Sequence, residues 1–187
     1  MAQQREFWEK YRAVSIILNQ SGNPPCSRIT LHTRKGTDIP NQQDWHLSPF
    51  IASQNRQVIA DKKWVNVRWR TTQGSPVYNC HGLTFAGRRT NVSDSASITT
   101  ILKDDGFHEI PFPDILPGDV ILYLTAEGEA EHSGVVADVK PANGQGRLAE
   151  IWIFSKWGAG SEALHRVYDC PYNQSKVKFF RVKDEST

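Results

Sequence analysis

The chain has 187 residues, of which 39% are hydrophobic and 22% are charged, with a formal net charge of +2. This composition is ordinary for a globular protein and predicts one folded domain with an added N-terminal segment. The charge is too small, and too evenly spread, to indicate nucleic acid as a partner. No apolar run approaches the roughly 20 residues that cross a bilayer, so we expect no membrane insertion.

The cysteines and the N-terminus bear on the compartment. Cys26, Cys80 and Cys170 are odd in number and lack close pair spacing, so we expect free thiols, which suit a reducing cytoplasm. Residues 1–6 lack the apolar core and cleavage site of a signal peptide. We therefore expect a cytoplasmic protein, or one exported by a route that needs no such signal.

The first elements in chain order are a helix, a loop and a strand. Apolar residues at helical spacing predict a helix over about residues 4–19: Phe7, Tyr11, Val14 and Leu18. Residues 26–60 are interrupted by Gly36, Pro40 and Pro49 and are predicted to be mostly loop, with 28–32 as a candidate short strand. Residues 63–70 alternate and are rich in β-branched and aromatic side chains, which predicts a strand.

The second part of the chain predicts two helices followed by a sheet. One helix begins at Cys80, and the next is capped by Ser93 or Asp94 and closed by Gly106. Extended segments follow at 107–112, 120–124, 132–139, 150–155 and 176–182. Short turns between strands indicate an antiparallel meander. We therefore predict an α+β fold, with residues 1–60 as a helix and loop extension and 61–187 as the catalytic domain.

Cys80 is the residue on which the functional prediction depends, because it stands where a loop gives way to a helix. At a helix N-terminus, unpaired N–H groups and the positive end of the macrodipole favour the thiolate, the nucleophilic form of cysteine. A cysteine hydrolase also needs a base, which is close in space but distant in sequence. His132, at the start of a predicted strand, is the candidate.

Three motifs occur in a fixed order between residues 78 and 156: Asn79-Cys80-His81-Gly82, Pro117-Gly118-Asp119 and His132-Ser133-Gly134. Their order and spacing resemble those of the NlpC-type cell-wall peptidases and the related CHAP amidases, which share a papain-like architecture. The family pattern has Ser at the position of His81. The resemblance implies a papain-like fold in which helices carrying Cys80 pack on an antiparallel sheet carrying His132.

The resemblance also implies catalytic roles. Cys80 would attack an amide carbonyl, and His132 would take the thiol proton and return it to the leaving group. The family's third catalytic residue is polar and lies on the strand after the histidine strand. Ser155 is the position of choice there, because it shares a face with Ile151 and Ile153. Glu162 and His165, from the segment that follows, are alternatives.

Further residues are candidates for substrate binding. The backbone N–H of Cys80 is one expected oxyanion donor, and Gln73 or Tyr78 is expected to supply a second. His81 points about 100° away from Cys80 on a helix, so a role in substrate contact or capping is more plausible than one as base. Trp157, beside a glycine, is expected to line a cleft.

No cofactor or metal is expected. Five residues are of the types that bind zinc: Cys80, His81, His132, His165 and Cys170. None forms the paired spacing of a structural zinc site, and no phosphate-binding glycine motif occurs.

Two classes of function therefore stay open. The first is a cysteine hydrolase that acts on an amide, with cell-wall peptides as the substrate that the resemblance implies, or a protein if the chain is an effector-type protease or deamidase. The second is a catalytically silent papain-like module that binds a peptide or a protein partner.

Overall fold

A computed structural model describes residues 27–140 and 150–183. Over these residues the chain forms three α-helices: α1 Pro49–Ala60, α2 Cys80–Ala86 and α3 Ser95–Asp104. It also forms seven strands: β1 Arg68–Trp69, β2 Phe107–Ile110, β3 Val120–Leu124, β4 Ala130–Lys140, β5 Glu150–Lys156, β6 Glu162–Arg166 and β7 Val177–Val182. A short 3-10 helix occupies Phe112–Asp114.

The strands form one antiparallel sheet in the order β1-β6-β5-β4-β3-β7-β2. Strands β3 to β6 are consecutive neighbours, so the predicted meander is confirmed and extended by one strand. The chain then returns to place β7 beside β3, with β2 at the far edge. The α+β class that the sequence predicts is confirmed.

The two faces of this sheet have different partners. On one, here called the helix face, Leu122 packs with Ala86 of α2 and Ile98 of α3. On the other, here called the tryptophan face, Tyr123 packs in a cluster that contains Trp157. Successive side chains of a strand point to opposite faces, and residues paired across antiparallel strands share a face. The register therefore assigns each strand residue to one face.

The helix that begins at Cys80 has clear end signals. The Asn79 side chain accepts a hydrogen bond from the Gly82 N–H at 2.9 Å, and Gly87 ends the helix in the left-handed conformation at φ 57°. Gly82 lies so close to the loop after the helix that a Cβ there would be 1.8 Å from the Thr90 carbonyl oxygen. A glycine is therefore required for α2 to sit where it does.

The motif Pro117-Gly118-Asp119 is structural. Asp119 is buried, and its carboxylate accepts two hydrogen bonds from Arg181, at 2.6 and 2.7 Å, and one from the Leu116 N–H at 2.8 Å. This turn is tied to β7 and opens β3, as predicted.

Several local predictions were wrong. Residues 49–60 form α1 instead of loop, because Ser48 caps the helix and Pro49 occupies its first position, where the missing N–H costs nothing. The strand predicted over 63–70 is reduced to β1, and 28–32 contributes only an isolated bridge through His32. The helix predicted over 4–19 lies outside the described residues.

Part of the predicted N-terminal extension contributes to the core. Leu31 and Ile39 belong to the cluster on the helix face. Asn55 of α1 donates a hydrogen bond to Ser161, at 2.9 Å, and accepts one from the Ser161 N–H at 2.8 Å. Among the described residues, no helix is both long and apolar enough to span a bilayer.

Candidate functional site

Cys80 is the first residue of α2 and faces the sheet on the helix face, where it is only 6% exposed. Burial raises the pKa of its thiol to about 11, although the Ser133 N–H, the His81 N–H and the Lys156 charge act in the opposite direction. The expected activation by the helix N-terminus is therefore outweighed by desolvation. In this structure the thiol is protonated at neutral pH.

His132 lies on the opposite face of the sheet from Cys80. The register pairs His132 with Tyr123 and Ser133 with Leu122. Tyr123 belongs to the tryptophan face and Leu122 to the helix face. Ser133, not His132, therefore points at α2, and the predicted pairing of Cys80 with His132 is not present.

The surroundings of His132 explain its charge state. The ring is fully buried and stacks on Tyr172, with centroids 3.6 Å apart and an interplanar angle of 8°. Neither ring nitrogen has a hydrogen-bond partner among the described residues. Burial holds the pKa of His132 well below its usual value, and the charges of His165 and His81 lower it further. His132 is a neutral core imidazole in this structure.

Ser155 and His165 form a separate buried pair on the tryptophan face. Their Oγ and Nε2 atoms are 2.8 Å apart, and His165 Nδ1 lies 2.8 Å from the Arg166 carbonyl oxygen. A carbonyl only accepts, so Nδ1 carries the hydrogen and Nε2 accepts from the Ser155 hydroxyl. Burial lowers the pKa of His165 to about 4. Neither residue orients His132, which corrects the third-residue prediction for both.

Two of the predicted substrate contacts are core residues. Trp157 is 2% exposed and is enclosed by the edges of Trp64 and Trp69, with centroid distances of 5.0 and 4.8 Å. It therefore lines no open cleft. His81 is also buried, and burial lowers its pKa to about 4. Gln73 is exposed in the loop before α2.

His81 braces α2 against the sheet. Thr84 donates to the Cys80 carbonyl at 2.9 Å, and the Ser133 hydroxyl donates to Thr84 at 3.0 Å. The Ser133 oxygen is then free to accept from His81 Nδ1, 2.9 Å away. This chain of hydrogen bonds fixes the helix over β4.

Lys156 lies on the helix face with Cys80, and no sequence motif marks it. It pairs with Glu162 across β5 and β6, so both lie on the helix face. The side chain is completely buried, and Nζ donates to the Gly160 carbonyl at 2.6 Å and lies 4.9 Å from the centre of the Tyr78 ring. Burial lowers the pKa of Lys156 to about 7, against the charges of Cys80 and Glu162.

Glu162 connects both ends of α2 to the sheet. Its Oε1 accepts from the Tyr78 hydroxyl at 2.7 Å and from Arg88 Nε at 2.6 Å. Burial acts to raise the pKa of Glu162, but these hydrogen bonds outweigh it and hold the pKa below its usual value. Burial raises the pKa of Tyr78 to about 12, and its hydroxyl is committed to Glu162. Tyr78 is therefore not free to act as the second oxyanion donor.

Within the described part of the chain, no group of three or more His, Cys, Asp and Glu side chains is placed to hold a metal ion. No protein-family model matches the chain, and neither a curated protein nor a solved structure matches it.

Proposed function

We propose that this protein is a papain-like cysteine hydrolase that cleaves an amide bond, with Cys80 as its nucleophile. One observation carries the proposal. Cys80 is the first residue of a capped helix that packs on an antiparallel sheet, and its sulfur faces a backbone N–H and a lysine. The three motifs that resemble the NlpC-type peptidases supply the reaction class.

The chemistry follows from the position of the thiol. The sulfur attacks the carbonyl carbon as a base takes its proton, and the backbone N–H of Cys80, at the start of α2, is placed to donate to the developing oxyanion. Collapse releases the amine and leaves a thioester, which water then hydrolyses. Since the resting thiol is buried and protonated, its deprotonation accompanies the attack on the bound substrate.

The leading substrates are short peptides of the bacterial cell wall, because that is the substrate class of the family whose motifs the chain resembles. The test is release of free amine from purified wall peptides. Cys80→Ala is expected to lower the rate by at least about 1000-fold, the scale of loss for a nucleophile.

Cys170→Ala is the matched control. Cys170 is also a free, buried cysteine, but it lies in the cluster on the tryptophan face. Its replacement is expected to leave the rate within about threefold, because Cys170 lies across the sheet from Cys80 and contacts none of the reacting atoms. Equal losses in both variants would indicate unfolding, which a melting curve of each variant detects, and equal activity in both folded variants would contradict the role of Cys80.

Another outcome of the same test is cleavage or deamidation of a protein substrate, with wall peptides left intact. If that activity is also lost in Cys80→Ala, the chain is an effector-type protease or deamidase with the same nucleophile.

A second candidate is a catalytically silent papain-like module that binds a peptide or a protein partner. The specific observation in its favour is that the motif histidine, His132, faces away from Cys80 and is buried without a hydrogen-bond partner among the described residues. Failure of every acyl substrate, together with peptide binding that survives Cys80→Ala, would establish this alternative.

A further inference from the structure

We infer that Lys156, on the helix face, is the base that takes the proton of Cys80, in the place that the sequence motifs assign to His132. The inference rests on the proposed hydrolase function and names a further catalytic residue for it.

The register places Lys156 on the face of the sheet that α2 covers, close enough to Cys80 for their charges to interact. Ser155 pairs with Gly134, so Lys156 and Ser133 are neighbours on the helix face, and the Ser133 N–H reaches the Cys80 sulfur. The charges of Cys80 and Lys156 influence each other's pKa in opposite directions, as those of a thiolate and an ammonium must. His132 lies on the opposite face of the sheet.

The position of the amine is fixed by its neighbours. Nζ donates one hydrogen bond to the Gly160 carbonyl at 2.6 Å and stands over the Tyr78 ring. A neutral amine has a lone pair in addition to its hydrogens, so it can keep the Gly160 bond while it accepts a proton. The side chain is therefore held in place in both protonation states.

Lys156 also titrates in the range that a base needs. Burial brings its pKa to about 7, so a large fraction of molecules holds the neutral amine near neutral pH. The ionisable groups that face it are Cys80 of α2, Glu162 of β6 and Tyr78 from the segment before α2. Glu162 is already paired with Arg88, so its charge acts on Lys156 only partly.

The proposed steps balance. The neutral Lys156 amine takes the thiol proton as the sulfur bonds to the carbonyl carbon, and the resulting ammonium gives that proton to the departing amine. In the second half, the amine takes a proton from water as the water oxygen attacks the thioester, and returns it to the Cys80 sulfur. No oxidant, metal or cofactor is consumed.

The test combines hydrolysis with an independent measurement of the thiol. Lys156→Met is expected to lower kcat at least about 100-fold with little change in KM, and to remove the acidic limb of the pH profile near pH 7, as loss of a general base requires. Lys156→Arg keeps a cation that cannot act as a base, so it is expected to be equally inactive. His132→Phe, which preserves a ring against Tyr172, is expected to stay within about threefold of the wild-type rate.

Site-resolved alkylation of the full chain by iodoacetamide, at pH 6 and at pH 9.5, needs no substrate. At pH 6 Lys156 is mostly an ammonium whose charge favours the thiolate, so the alkylation rate at Cys80 is expected to fall in Lys156→Met and not in Lys156→Arg. At pH 9.5 the wild-type amine is neutral, so Lys156→Arg, which keeps its charge, is expected to react faster than the wild type. Cys170 serves as the internal control, since its alkylation rate is expected to be the same in all three proteins. An unchanged Cys80 rate in Lys156→Met at pH 6 would overturn the inference even if no substrate were cleaved.

Hydrolysis that survives Lys156→Met but is lost in His132→Phe would also overturn it, and would leave the proposed function standing. Loss of hydrolysis in Cys80→Ala alone, with both other variants active, would assign the base elsewhere while keeping Cys80 as nucleophile.

Discussion

The two faces of the sheet surround their ionisable groups differently. On the helix face, Glu162 is hydrogen-bonded to Arg88, and the charges of Glu162 and Cys80 favour the charged form of the buried Lys156. On the tryptophan face, His132 and His165 are enclosed by aromatic rings and kept neutral by burial. The comparison shows that a histidine in a catalytic-looking motif acts as a base only if strand alternation turns it toward the nucleophile.

The largest expected effect concerns the cost of burying Lys156. Folding lowers its pKa from 10.5 to about 7. Keeping the buried lysine charged therefore reduces the free energy of unfolding by about 5 kcal/mol relative to the neutral lysine. Lys156→Met is therefore expected to stabilise the protein below pH 7 by up to about 5 kcal/mol, less what is lost with the Gly160 hydrogen bond. Urea unfolding at a series of pH values measures this.

The sign of the pH dependence follows from the lowered pKa. Between about pH 7 and 10.5 the unfolded wild-type chain binds more protons at this lysine than the folded one, so wild-type stability rises with pH. The advantage of Lys156→Met should shrink over the same interval. Lys140→Met, at an exposed lysine, is the control and should change stability by less than about 0.5 kcal/mol at every pH. A destabilised Lys156→Met protein at pH 6 would contradict the account.

The next effect concerns two buried histidines, His81 on the helix face and His165 on the tryptophan face. Burial lowers the pKa of His81 and of His165 from 6.5 to about 4, so the stability that each contributes is complete above pH 6.5 and is lost as the pH falls toward 4. Each loss is worth about 3 kcal/mol. His132→Phe removes a third buried imidazole and is expected to make the acid limb shallower. An acid limb as steep as that of the wild type would mean that His132 is not neutral in the folded protein.

The smallest effect concerns two motif glycines, one near each face. A Cβ at Gly82 would lie 1.8 Å from the backbone oxygen of Thr90, whereas a Cβ at Gly134 would lie 2.6 Å from an Ile153 methyl carbon and 2.9 Å from the Phe154 oxygen. At Gly134 the closest atom belongs to a side chain, which can shift, and the backbone contact of 2.9 Å is much milder than the 1.8 Å backbone contact at Gly82. Gly82→Ala is therefore expected to cost about 3 kcal/mol and Gly134→Ala about 1 kcal/mol, both measured by thermal unfolding. The reverse order would show that the α2 contact is looser than described.

The sequence predicted the elements whose ends carry strong local signals. The helix predicted to begin at Cys80 does so, Asp94 caps the next helix as expected, and the apolar run of β3 follows a turn that Asp119 fixes. The helix α1 escapes prediction because a proline such as Pro49 is typical both of loops and of the first turn of a helix, although Ser48 before it is a good cap. Strand β6 is hard to predict because polar residues occur on both of its faces, Glu162 on one and His165 on the other. The alternation of apolar and polar residues is therefore weak.

The site was harder to predict than the fold, for a physical reason. The alternation of β5 correctly grouped Ser155 with Ile153, which puts Lys156 on the other face. Tertiary packing determines which of these two faces α2 covers. No local sequence pattern indicates that choice. In the motif His132-Ser133, successive side chains likewise point to opposite faces. The pairing of Ser133 with Leu122 puts Ser133 on the face that carries Cys80.

The most direct test of whether Lys156 or His132 faces the thiol is a crystal structure that resolves the side chains around Cys80. It is expected to show the sulfur on the side of the sheet that carries Ser133 and Lys156, with Lys156 Nζ hydrogen-bonded to the Gly160 carbonyl and the His132 ring stacked on Tyr172. An imidazole nitrogen of His132 within hydrogen-bond distance of the Cys80 sulfur would contradict the assignment of Lys156 as the base.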